Sequence, residues 1–229
     1  MVVTRKHDGT PRRTVDLSPL NKYCRRETYA SESPFHLARR VPRNTYKSVT
    51  DAWNGYHQVP LRESDRHLTT FITPFGSWRY ARAPQGYLSS GDGYNRRFQA
   101  ILANFPRHER CVDDTLYYDE CLEAHWWRTI DLLILLGSSG VVLNPDKFRF
   151  AQKTVEFAGF RISSDGIQPL PRYLEAIKSF PTPTSKTDVR SWYGLLNQVS
   201  NYGQLRDYLA PFRHLLSPKT KFEWGENLN

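Results

Sequence analysis

Apolar positions recur along the chain at two spacings, and these predict its elements. Tyr94, Phe98, Ile101 and Leu102 share one face of a helix over 92–104, with Ser89, Ser90 and Asp92 as capping oxygens. Leu122, Trp126, Ile130, Leu133 and Leu136 keep the same register over 119–136, and Gly137 is the stop. Residues 68–82, LTTFITPFGSWRYAR, predict two strands joined by a turn at Pro74–Ser77. Val141–Leu143 and Phe148–Phe150 read as short strands. Thr154–Ser163 reads as another, with Gly159 inside it, where a glycine marks close approach of backbone or ligand. Residues 24–46 are polar, rich in Arg and Pro, and predict a loop with short helical turns.

The pattern changes after Ser163. Pro169, Pro171, Pro181 and Pro183 bracket a short helix, Arg172–Phe180. Ser185-x-x-Asp188 is a capping box that opens a helix with Val189, Trp192, Leu196 and Val199 on one face. A last helix contains Leu209, Phe212, Leu215 and Leu216. An α+β body followed by a small helical unit, divided near residue 165, is the expected organisation.

The 229 residues, 39% apolar and 14% aromatic, suffice for a real core and argue against wholesale disorder. The longest apolar run, Leu132–Gly137, is far too short to span a membrane, so no membrane partner is expected. The start, MVVTRKHDG, lacks an apolar signal region, which points to an intracellular protein. Cys24, Cys111 and Cys121 are an odd set without CxxC spacing, which excludes a disulfide framework and a structural zinc site.

Charge sharpens the picture because it is unevenly placed. The net charge is +9, and residues 1–100 hold all of it, with 17 Lys/Arg against 8 Asp/Glu. The pairs Arg12-Arg13, Arg25-Arg26, Arg39-Arg40 and Arg96-Arg97 show that arginine dominates. Guanidinium forks bind phosphate bidentately, so a polyanion partner is one reading and a solvated basic face the other.

Cys111-Val112-Asp113-Asp114 is the most informative tetrapeptide. Adjacent carboxylates point to opposite faces of a strand and converge only in a tight turn. The strand-like Thr115-Leu116-Tyr117-Tyr118 makes a hairpin plausible. Alone, such a pair reads most simply as a solvated turn. With a third carboxylate, for which Asp51 is the candidate, it makes an oxygen-rich Mg²⁺ site.

At Asp51 the sequence resembles the reverse transcriptases of gypsy-type long-terminal-repeat retrotransposons and, more distantly, of retroviruses. HDGTPRRTVDLSPLN at 7–21 resembles the fingers segment, and VTDAWNGYHQVPL at 49–61 resembles the first palm motif. RHLTTFITPFGSWRYARAPQGY at 66–87 resembles the fingers hairpin and its Pro-x-Gly turn. CVDD stands where the family has YxDD, and LNPDKFRF at 143–150 resembles its LNxxKC segment. VEFAGFRISSDGI at 155–167 resembles the primer grip, and TDVRSWYGLLNQVSNY at 187–202 the thumb. These seven motifs are collinear from about Val2 to Trp224.

The resemblance implies an α+β right-hand polymerase fold, with an antiparallel-sheet palm bearing helices on one face, a fingers β-hairpin and a helical thumb. Fingers would be 1–47 and 60–89, shortened at the N-terminus; palm 48–59 and 90–164; thumb 165–229. It implies an RNA- or DNA-templated DNA polymerase that uses a primer, deoxynucleoside triphosphates and two Mg²⁺ ions, with Mn²⁺ as a substitute. Asp51, Asp113 and Asp114 would be catalytic and bind the metals, with the Ala52 carbonyl as a further ligand. Tyr56 would block a 2′-hydroxyl, Gln85 lie against the incoming sugar, Lys6 and Arg12 hold the triphosphate, and Lys147 protonate the pyrophosphate. Phe157 and Gly159 would grip the primer, and Gly194 and Asn197 follow the duplex. Read on their own, Tyr56 is equally an ordinary core tyrosine and Lys147 a surface lysine. The location implied is a cytoplasmic retroelement particle or the nucleus, and no oligomeric state is set. Two alternatives remain open here, an inactive binding module descended from such an enzyme and a metal-dependent nuclease. Cys111 departs from the family's aromatic, which touches fidelity and processivity before activity.

Overall fold

The computed structural model describes residues 2–5, 9–199, 209–217, 220 and 222. The chain divides into two compact units, Met1–Ser33 with Asn44–Lys153, and Pro34–Arg43 with Thr154–Asn229. In chain order the first elements are β1 (Val2–Arg5), β2 (Pro11–Thr14), α1 (Ser18–Asn21), α2 (Pro34–Arg40), β3 (Tyr46–Asp51), β4 (Phe71–Thr73) and β5 (Gly76–Trp78). They are followed by α3 (Ser90–Leu102), β6 (His108–Cys111), β7 (Asp114–Asp119), α4 (Leu122–Ser138) and β8 (Arg149–Gln152). The last are β9 (Val155–Phe157), β10 (Phe160–Ser163), β11 (Gly166–Pro169), α5 (Pro171–Lys178) and α6 (Lys186–Val199).

The centre of the first unit is an antiparallel sheet in the order β6-β7-β3-β8. Tyr94, Phe98 and Leu102 from α3 and Leu132 and Leu136 from α4 form its core with Tyr117 of β7 and with Ala52. The helices therefore pack on the sheet face that carries Tyr117. Ser48 pairs with Tyr117 and shares that face, whereas Asp51, Val49, Asp114 and Leu116 point to the opposite one. The pairs β1–β2 and β4–β5 are separate hairpins.

The helix over 119–136 forms, but it turns a different face inward. Leu122, Trp126 and Leu133 are exposed, and the buried stripe is His125, Thr129, Leu132 and Leu136. The reason is polar. His125 Nε2 lies 2.7 Å from Ser48 Oγ and its Nδ1 3.1 Å from Asp119, while Thr129 Oγ1 accepts from the Tyr117 hydroxyl at 3.1 Å. Two residues that look like surface positions are buried because partners from two strands satisfy them.

Two other expectations change. Val141–Leu143 is no strand: only Leu143 pairs, with Ala52. The Gln58 side chain takes the place of a strand neighbour, accepting from the Val142 amide and donating to its carbonyl. Thr154–Ser163 is two strands, because Ala158 (φ 53°) and Gly159 (φ 88°) both adopt left-handed backbone, the geometry of a tight two-residue hairpin turn.

In the second unit β9, β10 and β11 form an antiparallel sheet, and α2 packs on it through Leu37 and Ala38, with Phe35 edge-on to Phe160 at 5.9 Å. The loop expected over 24–46 thus contains one real helix. The capping box holds: the Asp188 amide donates to Ser185 Oγ at 3.1 Å, and the Asp188 carboxylate reaches back to the Thr184 amide at 3.0 Å. The segment Ala210–Leu216 is 3₁₀ rather than α, and Phe212 packs edge-on to Trp192 at 4.8 Å. No helix among the described residues is long and apolar enough to cross a membrane.

Candidate active site

β3 ends in Asp51 and β7 begins with Asp114, and antiparallel register makes the two residues direct partners. The β6–β7 turn holds Val112 and Asp113, and its Asp113 carbonyl accepts from the Ala52 amide at 3.1 Å. The two acidic segments are therefore tied together by backbone on both sides of the turn. On the other edge the Asn144 amide donates to the Asp51 carbonyl at 2.9 Å. This brings the 143–147 segment alongside, and Lys147 Nζ donates to Asp51 Oδ2 at 2.8 Å.

The turn is strained and held from outside. Val112 is β-branched yet has φ 53°, a left-handed backbone that such residues rarely adopt. Arg110 pins it, with Nη1 donating to the Val112 carbonyl at 2.7 Å and to Asn95 Oδ1 at 3.0 Å, and Nη2 to the Asn95 carbonyl at 3.2 Å. Its guanidinium lies 5.4 Å from the centroid of the Phe98 ring. Helix α3 thereby fixes the height of the acidic turn.

The carboxylates sit in an environment that opposes their charge. Burial, and then the charge of Asp51, push Asp113 upward, against Lys147, Arg110 and the nearby Tyr94 hydroxyl. The same two causes raise Asp114 to about 6. Asp51 in turn raises Lys147 by accepting its hydrogen bond. Asp113 Oδ1 is buried and makes no hydrogen bond. A buried acceptor without a donor is costly, on the order of 1–3 kcal/mol. Gly55 leaves the space in which that oxygen sits: a Cβ there would stand 2.6 Å from Asp113 Oδ1 and 2.8 Å from Tyr94 Cζ.

An orphaned carboxylate oxygen beside two further carboxylates is a donor set suited to a hard divalent cation. Among the described residues no three His, Cys, Asp or Glu side chains are already gathered as a cation cage. Lys147 supplies the adjacent positive charge in this state.

Residues 4–162 match the family model described as reverse transcriptase (RNA-dependent DNA polymerase). The chain belongs to this family. It is 26% identical over 222 residues to the transposon Tf2-3 polyprotein of Schizosaccharomyces pombe and 25% identical to the Tf2-7 polyprotein. The match takes in 96% of this chain but 17% of each relative, so the chain spans about a sixth of their length. Among solved structures it is similar to a foamy viral protease–reverse transcriptase in complex with double-stranded DNA, at TM-score 0.89 and 22% identity, over 99% of this chain and 40% of that one. A second foamy viral protease–reverse transcriptase structure, in complex with an RNA/DNA hybrid, matches at TM-score 0.86 over 98% of this chain and 31% of that one. The fold is that of the reverse transcriptase polymerase, and membership implies dependence on a divalent metal.

Of the other residues that the family pattern singles out, Tyr56 lies beside the acids. Its ring packs edge-on to Tyr94 at 5.7 Å, and burial, with the charges of Asp113 and Asp92, raises its hydroxyl. Ala52 is buried between the acidic turn and Leu143. Gln85 precedes Gly86 (φ 94°) in a turn clamped by Asn21, which donates to the Gly86 carbonyl at 2.9 Å and accepts from the Leu88 amide at 3.0 Å. Arg12 lies on β2 opposite Thr4, and Lys6 lies outside the described residues.

Phe157 and Gly159 belong to the second unit, at the β9–β10 turn, where Phe157 is buried and Gly159 faces the Tyr173 ring. Gly194 and Asn197 are exposed on α6. A Cβ at Gly194 would meet nothing within 4 Å, so no packing among the described residues requires glycine there.

The residue-by-residue reading missed Arg110, Asn95, Gly55 and Tyr94 as parts of the site. In the sequence Arg110 is only the last of four polar residues in a row, Arg107-His108-Glu109-Arg110. Its role depends on a guanidinium reaching across to α3, which no local spacing reveals.

Proposed function

We propose that this chain is the polymerase portion of a gypsy-type retrotransposon reverse transcriptase, extending a primer along RNA or DNA by addition of deoxynucleotides. The observation that carries this reading is the registered pairing of Asp51 with Asp114 beside the unsatisfied Asp113 oxygen, on the sheet of a reverse transcriptase fold. Fingers are assigned to 1–47 and 60–89, palm to 48–59 and 90–164, and thumb to 165–229. The relatives named as Tf2 transposon polyproteins support the retroelement origin. The location that goes with this reading is a cytoplasmic retroelement particle or the nucleus.

Asp51, Asp113 and Asp114, with the Ala52 carbonyl, are the residues that would hold two Mg²⁺ ions. The chemistry a bound pair of divalent ions supplies is activation of the primer 3′-hydroxyl and stabilisation of the leaving pyrophosphate. The chain's own residues do the rest. Arg110 and Asn95 hold the turn so that two adjacent carboxylates are available at one place. Tyr56, rigidly packed on Tyr94, forms the wall that excludes a 2′-hydroxyl. Lys147 carries a proton next to Asp51, where it is available to the departing phosphate. Lys6, Arg12 and Gln85 orient the incoming nucleotide, and Phe157, Gly159, Gly194 and Asn197 hold the template–primer. Bare Gly194 suits a helix along which a sugar–phosphate backbone runs.

Primer extension on RNA and DNA templates, with Mg²⁺ or Mn²⁺, tests the reading. Asp113→Asn should lower extension by on the order of 10³-fold while duplex binding persists. Tyr56→Ala should admit ribonucleotides, raising their incorporation relative to deoxyribonucleotides by tenfold or more, roughly one 1.4 kcal/mol step. An inactive wild-type chain that still binds duplex would favour the binding-module reading. That reading is otherwise weakened by the presence of all three carboxylates and Tyr56.

A further inference from the structure

Three buried side-chain polar atoms among the described residues have no hydrogen-bond partner: Tyr94 Oη, Arg110 Nε and Asp113 Oδ1. Native proteins leave few such atoms, and each calls for a reason. All three belong to the acidic turn or to residues that approach it. Arg110 uses its other two nitrogens on Val112 and Asn95. One hydroxyl and one carboxylate oxygen are left to explain, and their capacities are complementary. A tyrosine hydroxyl can donate, and an ionised carboxylate can only accept.

The two groups border one small space. Asp113 Oδ1 would lie 2.6 Å, and Tyr94 Cζ, which bears the hydroxyl, 2.8 Å from a Cβ at Gly55. The hydroxyl is near enough to favour the charged form of Asp113, although no completed hydrogen bond joins them. The ring that carries it is fixed. Tyr94 is buried in the core of the first unit, edge-on to Tyr56 at 5.7 Å and tilted against Phe98 at 5.4 Å. Its chain neighbour Asn95 holds Arg110 and, through it, the Val112 carbonyl. One turn of α3 therefore addresses both residues of the acidic turn, Val112 through a guanidinium and Asp113 through a phenol. Core packing gives no reason for that phenol. A phenylalanine would fill the same position without burying an unpaired hydroxyl, which is costly.

A donor that holds a metal ligand from behind orients it, and losing such a donor typically weakens metal affinity by about 10–100-fold. Each carboxylate oxygen has two lone-pair sites, so Asp113 Oδ1 can accept from Tyr94 and still face a cation. We propose that Tyr94 is a positioning residue of the acidic site, its hydroxyl donating to Asp113 Oδ1 and orienting that carboxylate toward a divalent cation. This rests on the reading of Asp51, Asp113 and Asp114 as the residues that hold metal. It adds a role that belongs to the Tyr94 hydroxyl and not to its ring.

The test is Tyr94→Phe in the full 229-residue chain, a change that removes one oxygen and keeps the ring. Two measurements separate positioning from a merely structural role. Thermal unfolding with a chelator present should give a midpoint equal to wild type or above it, because the oxygen removed has no partner in the fold. Binding of Mn²⁺ alone, followed by the electron paramagnetic resonance of the free ion, should show a dissociation constant raised about tenfold or more. A smaller rise would overturn the proposal. So would a lowered unfolding midpoint, which would make the hydroxyl part of the fold's own bonding. A wild type that extends primers but holds Mn²⁺ no better than Tyr94→Phe sinks this inference alone. One that neither holds Mn²⁺ at millimolar concentration nor extends primers sinks the polymerase reading too.

Discussion

Ser48 and Asp51 stand on β3, Asp119 and Asp114 on the strand paired with it, yet the two pairs face opposite sides of the sheet. On the helix-covered side every polar atom named has a partner. Ser48 Oγ accepts from the Ala151 amide at 2.9 Å and faces His125 Nε2 at 2.7 Å. Asp119 can only accept, so His125 donates from Nδ1 and its Nε2 accepts from the serine. Arg128 Nε completes the set, 2.7 Å from Asp119 Oδ2 and 2.9 Å from Oδ1. The residue types are those of a hydrolase triad, but Ser48 and His125 are 0% exposed and no substrate could reach them. On the other side Asp51 and Asp114 repel one another, and in the adjoining turn one oxygen of Asp113, beside Tyr94, has no donor. One cluster is built to be complete; the other is completed only by something that binds. The same two strands thus carry a device for stability and a device for function, separated by the period of two.

The largest effect should come from breaking the complete cluster. Asp119→Ala leaves His125 and Arg128 without their acceptor and should cost about 3–5 kcal/mol, read as a shift in urea or thermal unfolding. A cost under about 0.5 kcal/mol would show that the network contributes no stability. Ser48→Ala removes a smaller link, orphaning the Ala151 amide and His125 Nε2, and should cost about 1–3 kcal/mol. At the functional end Gly55→Ala should abolish extension, and it should cost about 1–3 kcal/mol because its methyl would press on Asp113 and Tyr94. Retained activity would mean that the crevice beside Asp113 is not needed.

The two clusters should also answer pH with opposite signs. Asp114 is raised in the fold to about 6, above the ordinary value near 3.9, so between these values the native state holds more protons than the unfolded chain. In metal-free protein its contribution to stability therefore rises as pH falls through about 6. His125 is lowered by burial, against the pull of Asp119, so the unfolded chain takes its proton first and stability falls as pH drops below about 6.5. Unfolding curves between pH 7 and 5 with a chelator present should show the first trend vanish in Asp114→Asn and the second in His125→Gln. Trends of the same sign in both variants would collapse the distinction. The smallest effect expected is on the stability of Asp113→Asn, within about 0.5 kcal/mol of wild type or above it, since burial and the charge of Asp51 outweigh the groups that favour that carboxylate. A clear loss would make it a structural residue.

Much was legible in local order. The hairpin around Cys111-Val112-Asp113-Asp114, helices α3 and α4, the Ser185 cap and the basic first hundred residues are properties of neighbours along the chain, and period, caps and charge counts read neighbours. Tertiary structure decided what neighbours cannot. It set Asp51 opposite Asp114 through register, and it turned His125 and Thr129 inward because Ser48, Asp119 and Tyr117 were there to satisfy them. It made Arg110 and Gly55 parts of the site through a reach to α3 and a space beside one oxygen. A sequence states which groups a strand offers. Only packing determines which of them find a partner, and in this chain the Asp113 oxygen left without one marks the candidate active site.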